Sequence, residues 1–296
     1  MASILERRPS LWVEVSPPRG INPDPMITRL AALRGQVDAI NLTDNSLGRV
    51  KMSALVFGGI VKQRLGIPVV LNVSCRDRNR FALKSDLLGA AALGIDAVVA
   101  LRGDKVAPDT DGRIIPAHDI DPFALLDMVG ALNRGDTGEG RAPLKMPPSL
   151  IAGAVANPNR KNFDREIDSL KRKAAAGARF VITQPVFEAG TARNFVREAK
   201  NMGIDAMLGI MPIKRAAMAR YMKEQVKDLS GAASYLERYV GMDEEAARKF
   251  SLSENLLLMT SLANDAGGFN IMSGGGPSLA IELALEFNKW RKENRK

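Results

Sequence analysis

The stretch Val69-Val-Leu-Asn-Val-Ser74, followed by a helix-like segment at 82–93 and then by Ala97-Val-Val-Ala-Leu-Arg102, decides the fold. Both short segments carry apolar residues in runs rather than in alternation, which is typical of strands buried on both faces. The segment between them has the length and the amphipathic pattern of a helix. A buried strand, a helix and a second buried strand in this order predict a parallel β–α–β unit.

The same unit recurs along the whole chain. Further strand-like runs lie at 11–15, 39–43, 150–155, 180–184, 206–212 and 269–272, and helical stretches include 46–65, 163–175 and 189–201. Eight strands alternating with helices predict an α/β protein of the (β/α)8 TIM-barrel type, with 1–296 as one catalytic domain and two extra helices within 229–265. An open doubly wound sheet would also alternate, but no Gly-x-Gly-x-x-Gly turn follows the first strand. The segment Asp44-Asn45-Ser46 is predicted to cap the helix at 46–65.

Composition limits the kinds of site that the chain can hold. With a single cysteine, Cys75, and a single histidine, His118, the 296 residues provide no disulfide, no cysteine cluster and no histidine-based zinc site, so no metal is expected. The N-terminal residues 1–8 carry no secretion signal, and no apolar run approaches the ~20 residues of a membrane helix. We therefore expect a cytoplasmic protein without a membrane segment.

The net charge of +9 favours an anionic small molecule over nucleic acid as the ligand. The 42 basic residues are scattered along the chain, and aromatic residues, which stack on nucleic-acid bases, make up only 5%. The sequence leaves the oligomeric state open, a homo-oligomer included.

In a (β/α)8 barrel, functional groups lie at the carboxyl ends of the strands. Glu14 lies in the apolar run Trp12-Val-Glu-Val, so its carboxyl group either faces the barrel mouth or is neutralised by a partner. Burial would raise its pKa, which suits a general acid that acts near neutral pH. The alternative is an ion pair with a barrel arginine such as Arg102.

Two further polar residues end predicted strands. Asp104 follows Gly103, whose small size lets a ligand approach the backbone closely, although an aspartate after a glycine is also a common turn or capping residue. Gln184 ends Val181-Ile-Thr-Gln and offers a donor and an acceptor to the edge of a heterocycle.

Several other residues are assigned from their surroundings. Cys75 has no base partner and is predicted to be an inert buried thiol. Met211, Met218 and Met222 are predicted to pack in the core, and Met218 is also kept as a candidate substrate contact. The Gly-, Pro- and Asp-rich insertion at 104–149, with a short helix at 122–132, is either a cover for a cofactor or a surface excursion.

Seven segments carry a family resemblance in a fixed order over residues 11–275. They are Val13-Glu-Val-Ser-Pro-Pro-Arg, Asn41-Leu-Thr-Asp-Asn, Cys75-Arg-Asp-Arg-Asn-Arg with Ser85-Asp-Leu-Leu-Gly, Ala100-Leu-Arg-Gly-Asp, Leu170-Lys-Arg-Lys-Ala-Ala-Ala-Gly-Ala, Val181-Ile-Thr-Gln-Pro-Val-Phe and Gly209-Ile-Met-Pro. Together they resemble the methylenetetrahydrofolate reductases. The resemblance implies a flavoenzyme of one-carbon metabolism that interconverts 5,10-methylenetetrahydrofolate and 5-methyltetrahydrofolate, with FAD bound and NADH or NADPH as the second reactant.

The resemblance also implies roles for individual residues. Glu14 would protonate the folate so that its five-membered ring opens, and Asp104 would take part in catalysis. Asp104 and Gln184 would hold the pterin ring. The residues implied to contact FAD are Thr43, Asn72, Arg102, Gly103, Asp104, Asn157, Glu166 and Lys173.

Departures from the family pattern keep alternatives open. Asn72 and Asn157 replace histidines of some members, Gly153 replaces a tyrosine, and Met272-Ser-Gly-Gly-Gly-Pro lacks an arginine. FMN instead of FAD, or no flavin, therefore stays open. Two other functions are also open: a pterin-dependent methyltransferase barrel, and a non-catalytic folate- or flavin-binding subunit of a larger complex.

Overall fold

Eight parallel strands close into a barrel in the computed structural model of the chain, which describes residues 4–106, 116–117, 119–140, 142–225, 232–274 and 276–294. Each strand pairs with its neighbour along the chain, and the first strand pairs with the last. The predicted (β/α)8 barrel is confirmed. The strands are β1 Ser10–Val15, β2 Ala39–Leu42, β3 Val69–Ser74, β4 Ala97–Leu101, β5 Ile151–Ala156, β6 Phe180–Pro185, β7 Asp205–Ile210 and β8 Gly268–Ile271.

Helices surround the barrel. They include the two extra helices that the sequence predicts between the last two strands, which are α8 Ala233–Glu237 and α9 Glu244–Leu262. No helix in the described ranges is both long and apolar enough to cross a membrane. The α-helices of the described residues are α1 Asp24–Leu30, α2 Ala54–Leu65, α3 Arg80–Ala92, α4 Pro122–Asn133, α5 Phe163–Ala175, α6 Ala189–Asn201, α7 Ala216–Gln225, α8 Ala233–Glu237, α9 Glu244–Leu262 and α10 Ser278–Glu293.

Apolar side chains fill the amino-terminal half of the barrel interior, which we call the barrel floor. Trp12 and Phe180 meet there edge to face, with ring centroids 5.2 Å apart and planes at 84°. Gly153 makes room for them, because a Cβ atom at this position would lie 2.3 Å from Cζ of Phe180. The floor also contains Ile4 and Met207. The glycine that replaces a tyrosine of the family pattern is thus explained by packing inside the barrel.

The helix predicted at 46–65 is wrong over its first two turns, because α2 begins at Ala54. Only a short 3-10 turn, Ser46–Gly48, forms earlier, and Leu47 within it has a left-handed φ of 59°. The side chains predicted to cap the helix bind elsewhere. Asp44 accepts a hydrogen bond from the backbone N of Ser74, and Asn45 accepts one from the backbone N of Lys51. Residues 44–53 therefore form a loop at the mouth of the barrel, where the strands end.

An ion cluster at the opposite end fastens the last helix to the first two strands. Arg291 of α10 donates to Asp38 at 2.5 Å and to the backbone O of Pro9 at 3.0 Å. Asp38 also accepts hydrogen bonds from the backbone N of Leu11 and from the side chain of Arg7. The Asp38 and Arg291 side chains are only 6% and 4% exposed, so each depends on the other for its charge to be balanced.

We expect Asp38→Ala to lower the free energy of unfolding by about 3–4 kcal/mol, because it leaves the Arg291 charge buried without its partner. The control is Asp24→Ala, which breaks the ion pair of Asp24 with Arg64 at side-chain exposures of 64% and 49%. That variant should lose less than about 1 kcal/mol. Urea unfolding measures both values, and equal losses would contradict a special role for the buried pair.

Candidate active site

Above the barrel floor, three polar side chains on adjacent strands form a hydrogen-bonded chain. Nδ2 of Asn270 on β8 donates to Oε2 of Glu14 on β1 at 3.1 Å. Oδ1 of Asn270 in turn accepts from Nδ2 of Asn41 on β2 at 3.2 Å. Both asparagines are fully buried, whereas Glu14 is partly open at the mouth. The interior of the barrel is therefore apolar at the floor and polar just below the mouth.

Burial raises the pKa of Glu14 to about 7, and the hydrogen bond from Asn270 opposes this shift. The alternative role of Glu14, an ion pair with Arg102, is wrong, because the described residues include no ion pair of Glu14 and Arg102 is exposed. A carboxyl group with a pKa near 7 is present as both acid and carboxylate at neutral pH. This is the property that a general acid needs.

Glu14 faces a groove of about 1120 Å³ at the mouth of the barrel. Its volume is slightly larger than the roughly 300–1,000 Å³ typical of sites for drug-sized ligands and cofactors, so it has room for such a ligand. The wall combines hydroxyl groups, methionines and an exposed leucine; it includes Ser16, Thr43, Ser46, Leu47, Met211, Met272 and Gly274. Such a wall suits a flat, partly apolar ring with polar edges.

A second, smaller pocket of about 350 Å³ shares the wall residues Met272 and Gly274 with the groove. Basic side chains line it: Arg29, Lys214 and Arg248. Lys214 pairs with Glu244 at 3.3 Å and Arg248 pairs with Glu282, so acidic residues balance part of this charge. The groove thus continues into a pocket whose walls carry cations.

Asp104 lies exposed after β4 and joins two loops of the mouth. Its Oδ2 atom accepts a hydrogen bond from the backbone N of Leu47 at 2.6 Å, and its backbone O accepts one from Nη1 of Arg76. Gly103, with φ of 90°, allows this path, since a Cβ atom there would lie 2.2 Å from Oγ of Ser74. The capping role considered for Asp104 is therefore present, although it caps a turn of a neighbouring loop.

The two other predicted substrate contacts lie at the rim. Gln184 is exposed at the carboxyl end of β6. Met218 packs in the small core under α7 to α9, and its methyl group lies against Gly274, where an added Cβ atom would be 2.5 Å away. The groove walls include neither Asp104 nor Gln184. The rim residues are thus arranged around the groove rather than inside it.

The residues implied to contact FAD fall into two sets. Those on or directly after β2 to β4 are Thr43, Asn72, Arg102, Gly103 and Asp104, and of these Thr43 lines the groove. Thr43 contacts Ser16 through a hydroxyl–hydroxyl hydrogen bond of 2.8 Å. A hydroxyl, a buried amide and an exposed guanidinium group on three consecutive strands fit the polar edge of a flavin ring.

The second set, beyond β5, consists of residues that bind one another. The Glu166 carboxylate, only 3% exposed, accepts from the backbone N of Asn157 at 3.0 Å and pairs with Arg160 at 3.1 Å. Nζ of Lys173 lies 3.8 Å from Glu166 and donates to the backbone O of Val155. Burial lowers the pKa of Lys173, and Glu166 opposes that shift. This set anchors the loop after β5 in the structure and has little left to offer a ligand.

The structure also locates the predicted buried thiol, the methionines and the helix of the insertion. Cys75 is buried as predicted, and burial raises the pKa of its thiol to about 11, in line with the prediction of an inert thiol. Met222 is buried as predicted, while Met211 also reaches the groove. The helix predicted at 122–132 is α4. His118 and residues 107–115 of the insertion lie outside the described residues.

Sequence reasoning missed Asn270 and did not single out Asn41. Both lie in short apolar runs, Phe-Asn-Ile-Met and Ile-Asn-Leu, and a polar residue in such a run is the same signal that identified Glu14. The distance of 256 positions between Glu14 and Asn270 hid their contact, because only closure of the barrel joins β1 to β8.

A protonatable carboxyl group that faces a groove at the mouth of a closed parallel barrel is the arrangement in which enzymes of the (β/α)8-barrel class carry their active sites. The relatives of the chain are more specific. A family model described as methylenetetrahydrofolate reductase matches residues 2–264. The chain belongs to the methylenetetrahydrofolate reductase family.

Individual relatives differ in how much they share with the chain. A probable methylenetetrahydrofolate reductase (NADPH) of Caenorhabditis elegans is 32% identical over 150 residues, which are 50% of this chain and 21% of the worm protein. The 5,10-methylenetetrahydrofolate reductase of Salmonella typhimurium is 24% identical over 234 residues, 78% of this chain and 72% of that enzyme. The chain thus spans about a fifth of the length of the worm relative.

A solved structure shares the fold over nearly the whole chain. It is described as an uncharacterized protein from Clostridium thermocellum that binds two copies of 5-methyl-5,6,7,8-tetrahydrofolic acid. The TM-score is 0.61 at 18% identity, over 99% of this chain and 98% of the other. At this identity the likeness concerns the fold alone.

The pKa of Glu14 predicts how pH changes stability. The folded chain keeps a proton on Glu14 up to about pH 7, whereas the unfolded chain releases it near 4.5, so stability falls as pH rises between these values. We expect Glu14→Gln to abolish this loss. Between pH 4 and pH 8 the free energy of unfolding of the variant should therefore rise by about 2 kcal/mol relative to that of the wild type. This value is smaller than the full pKa difference implies, because Glu14 is partly open to solvent. Thr43→Val, which removes no titrating group, should change stability equally at both values. Thermal unfolding at the two pH values is the measurement, and a pH-independent effect of Glu14→Gln would refute the raised pKa.

Proposed function

We propose that the chain reduces 5,10-methylenetetrahydrofolate to 5-methyltetrahydrofolate with a nicotinamide as the hydride source, and that 1–296 act as one catalytic domain. The observation that carries the proposal is the Glu14 carboxyl group, which is partly buried, faces the groove and forms no ion pair with any residue that the structure describes. The reaction consumes one hydride and one proton for each folate reduced. The family of the chain supports the substrate, and Glu14 supplies the proton.

Glu14 acts as the general acid in this proposal. Its Oε2 atom accepts from Asn270, so the proton of the acid form rests on Oε1. Transfer of this proton to a nitrogen of the five-membered ring lets the carbon–nitrogen bond break and leaves an electrophilic iminium carbon. That carbon then accepts the hydride, and solvent returns a proton to Glu14 at the end of the cycle.

The rim residues hold the substrate. Asp104 and Gln184 provide an acceptor and a donor–acceptor pair for the pterin edge, and Met218 supplies an apolar contact beside Gly274. Asp104 also accepts a hydrogen bond from the amide of Leu47, so the position of the loop at 44–53 helps to orient the carboxylate that would contact the pterin. The pocket with Arg29 and Lys214 suits the anionic tail of the folate, since it continues from the groove.

A flavin fits the first of the two sets of implied residues. Thr43, Asn72 and Arg102 would hold its ring, Gly103 would let it approach the backbone, and FAD is the form that the family implies. A bound flavin supplies two-electron chemistry that links oxidation of NADH or NADPH to reduction of the folate. Because Glu166 and Lys173 bind each other, we propose binding residues for the flavin ring only and none for the remainder of the cofactor.

We expect the purified protein to bind FAD and to show the absorption of an oxidised isoalloxazine. Arg102→Ala should weaken binding about tenfold, as expected for loss of one charge-assisted hydrogen bond. The control is Lys105→Ala, which removes a neighbouring exposed cation and should leave affinity unchanged. Titration of flavin absorbance or fluorescence gives the affinities. A colourless protein that takes up neither FAD nor FMN, yet reduces the folate with NADPH, would contradict the flavin and leave the reductase standing.

We expect Glu14→Gln to slow folate reduction by roughly 10²–10⁴-fold, the usual contribution of a general acid. Oxidation of the nicotinamide by the bound flavin should stay within a few-fold of wild type, because that half-reaction needs no proton from Glu14. In the wild type, kcat/KM for the folate should fall as pH rises above about 7, since only the protonated acid is active. Stopped-flow measurement of the two half-reactions separates them, and an equal loss in both would assign Glu14 a structural role.

A further inference from the structure

We propose that Asn270, oriented by Asn41, is a positioning residue that fixes the Glu14 carboxyl group and limits how tightly it holds its proton. The proposal rests on the proposed function, in which Glu14 is the acid. Neither asparagine is among the residues that line the groove, so both act through Glu14 rather than on the substrate.

The barrel topology places the two asparagines on either side of Glu14. Strands β8 and β2 flank β1, with Asn270 in register with Trp12 and Asn41 in register with Glu14. The hydrogen bond of 3.2 Å between the two amides therefore crosses the inner face of β1, between the level of Trp12 and that of Glu14. The bridge closes off the floor and supports the carboxyl group from below.

The direction of this bridge sets which atom Glu14 meets. Nδ2 of Asn41 donates to Oδ1 of Asn270, so the amide of Asn270 must turn its Nδ2 atom towards Glu14. An N–H donor binds the oxygen of a carboxylate more strongly than the carbonyl oxygen of the neutral acid, so it favours the charged form. Asn270 therefore counteracts burial, which raises the pKa of Glu14.

An unpaired atom indicates that Asn41 is there for its N–H group. Its Oδ1 atom is buried and accepts no hydrogen bond from any described residue. A buried acceptor without a donor destabilises a fold, and an apolar side chain of similar size would avoid that cost. The amide is useful at this position because it holds Asn270 in one orientation.

Other charged groups near the mouth do not take over this role. Arg19 on the loop after β1, and Arg49 and Lys51 on the loop after β2, line the groove, but none forms an ion pair with Glu14 in the described residues. Asp44, at the end of β2, pairs with Arg78. The hydrogen bond from Asn270 is therefore the specific polar contact through which the barrel acts on the Glu14 carboxyl group.

The test is a direct titration of Glu14 by infrared difference spectroscopy, with Glu14→Gln as the reference that identifies its carboxyl band. We expect Asn270→Leu to raise the pKa of Glu14 by about one pH unit. Asn41→Leu should shift it in the same direction by a smaller amount, because Asn270 can then turn its oxygen to the acid. Asn255→Leu is the control, since Asn255 is equally buried but lies in α9 and bonds to Ser251; it should leave the titration unchanged.

The same variants are then compared in folate reduction across pH. The decline of kcat/KM with rising pH should move to higher pH in step with the titration of Glu14. Thermal unfolding first establishes that each variant folds. If Asn270→Leu does not fold, Asn41→Leu provides the test. A Glu14 titration that is unmoved in both variants overturns the positioning role even if the protein reduces folate. A shifted titration without folate reduction supports the positioning role of Asn270 and contradicts the proposed function instead.

Discussion

The inside of a closed eight-stranded barrel has to be filled with side chains, and the way this barrel is filled decides where its chemistry can take place. Trp12 and Phe180 occupy the floor, and Gly153 has no side chain because the Phe180 ring needs the space. Dense packing at one end leaves a polar layer and an open groove at the other. Glu14 lies between the packed floor and the open groove. It is close enough to apolar groups to be desolvated and close enough to the mouth to reach a ligand.

Among the described residues, the side chain that hydrogen-bonds to the acid is an amide and not a cation, and this difference has a chemical effect. A nearby arginine would hold Glu14 as a carboxylate and remove its capacity to donate a proton. An asparagine offers a hydrogen bond without a full charge, so it moderates the effect of burial without cancelling it. The loops of the mouth follow the opposite rule: Asp44 with Arg78, and Arg76 with Asp77, are charged pairs that hold loop shape.

The sequence alone predicts most of the fold, because strands buried on both faces appear as apolar runs whatever their partners are. Glu14 could be found because a carboxyl group interrupts such a run. The false helix start at Ser46 had a good local cap, but tertiary contacts to Ser74 and Asp104 took precedence. Asn270 could not be paired with Glu14 from local pattern, since their contact depends on barrel closure. By contrast, Glu166 and Lys173 are seven positions apart on α5, so the helical period already places them on one face of that helix.

The ion cluster joins Arg291 to Asp38 and Arg7, which are far from it in the sequence. In the same way, β1 has β8 as its second neighbour in the sheet. During synthesis, the first strand leaves the ribosome more than 250 residues before its last partner. Until then one side of the growing sheet exposes unpaired backbone groups, a template on which other chains can add strands. The edge of β1 that pairs with β8 therefore stays open to such pairing until β8 has been made.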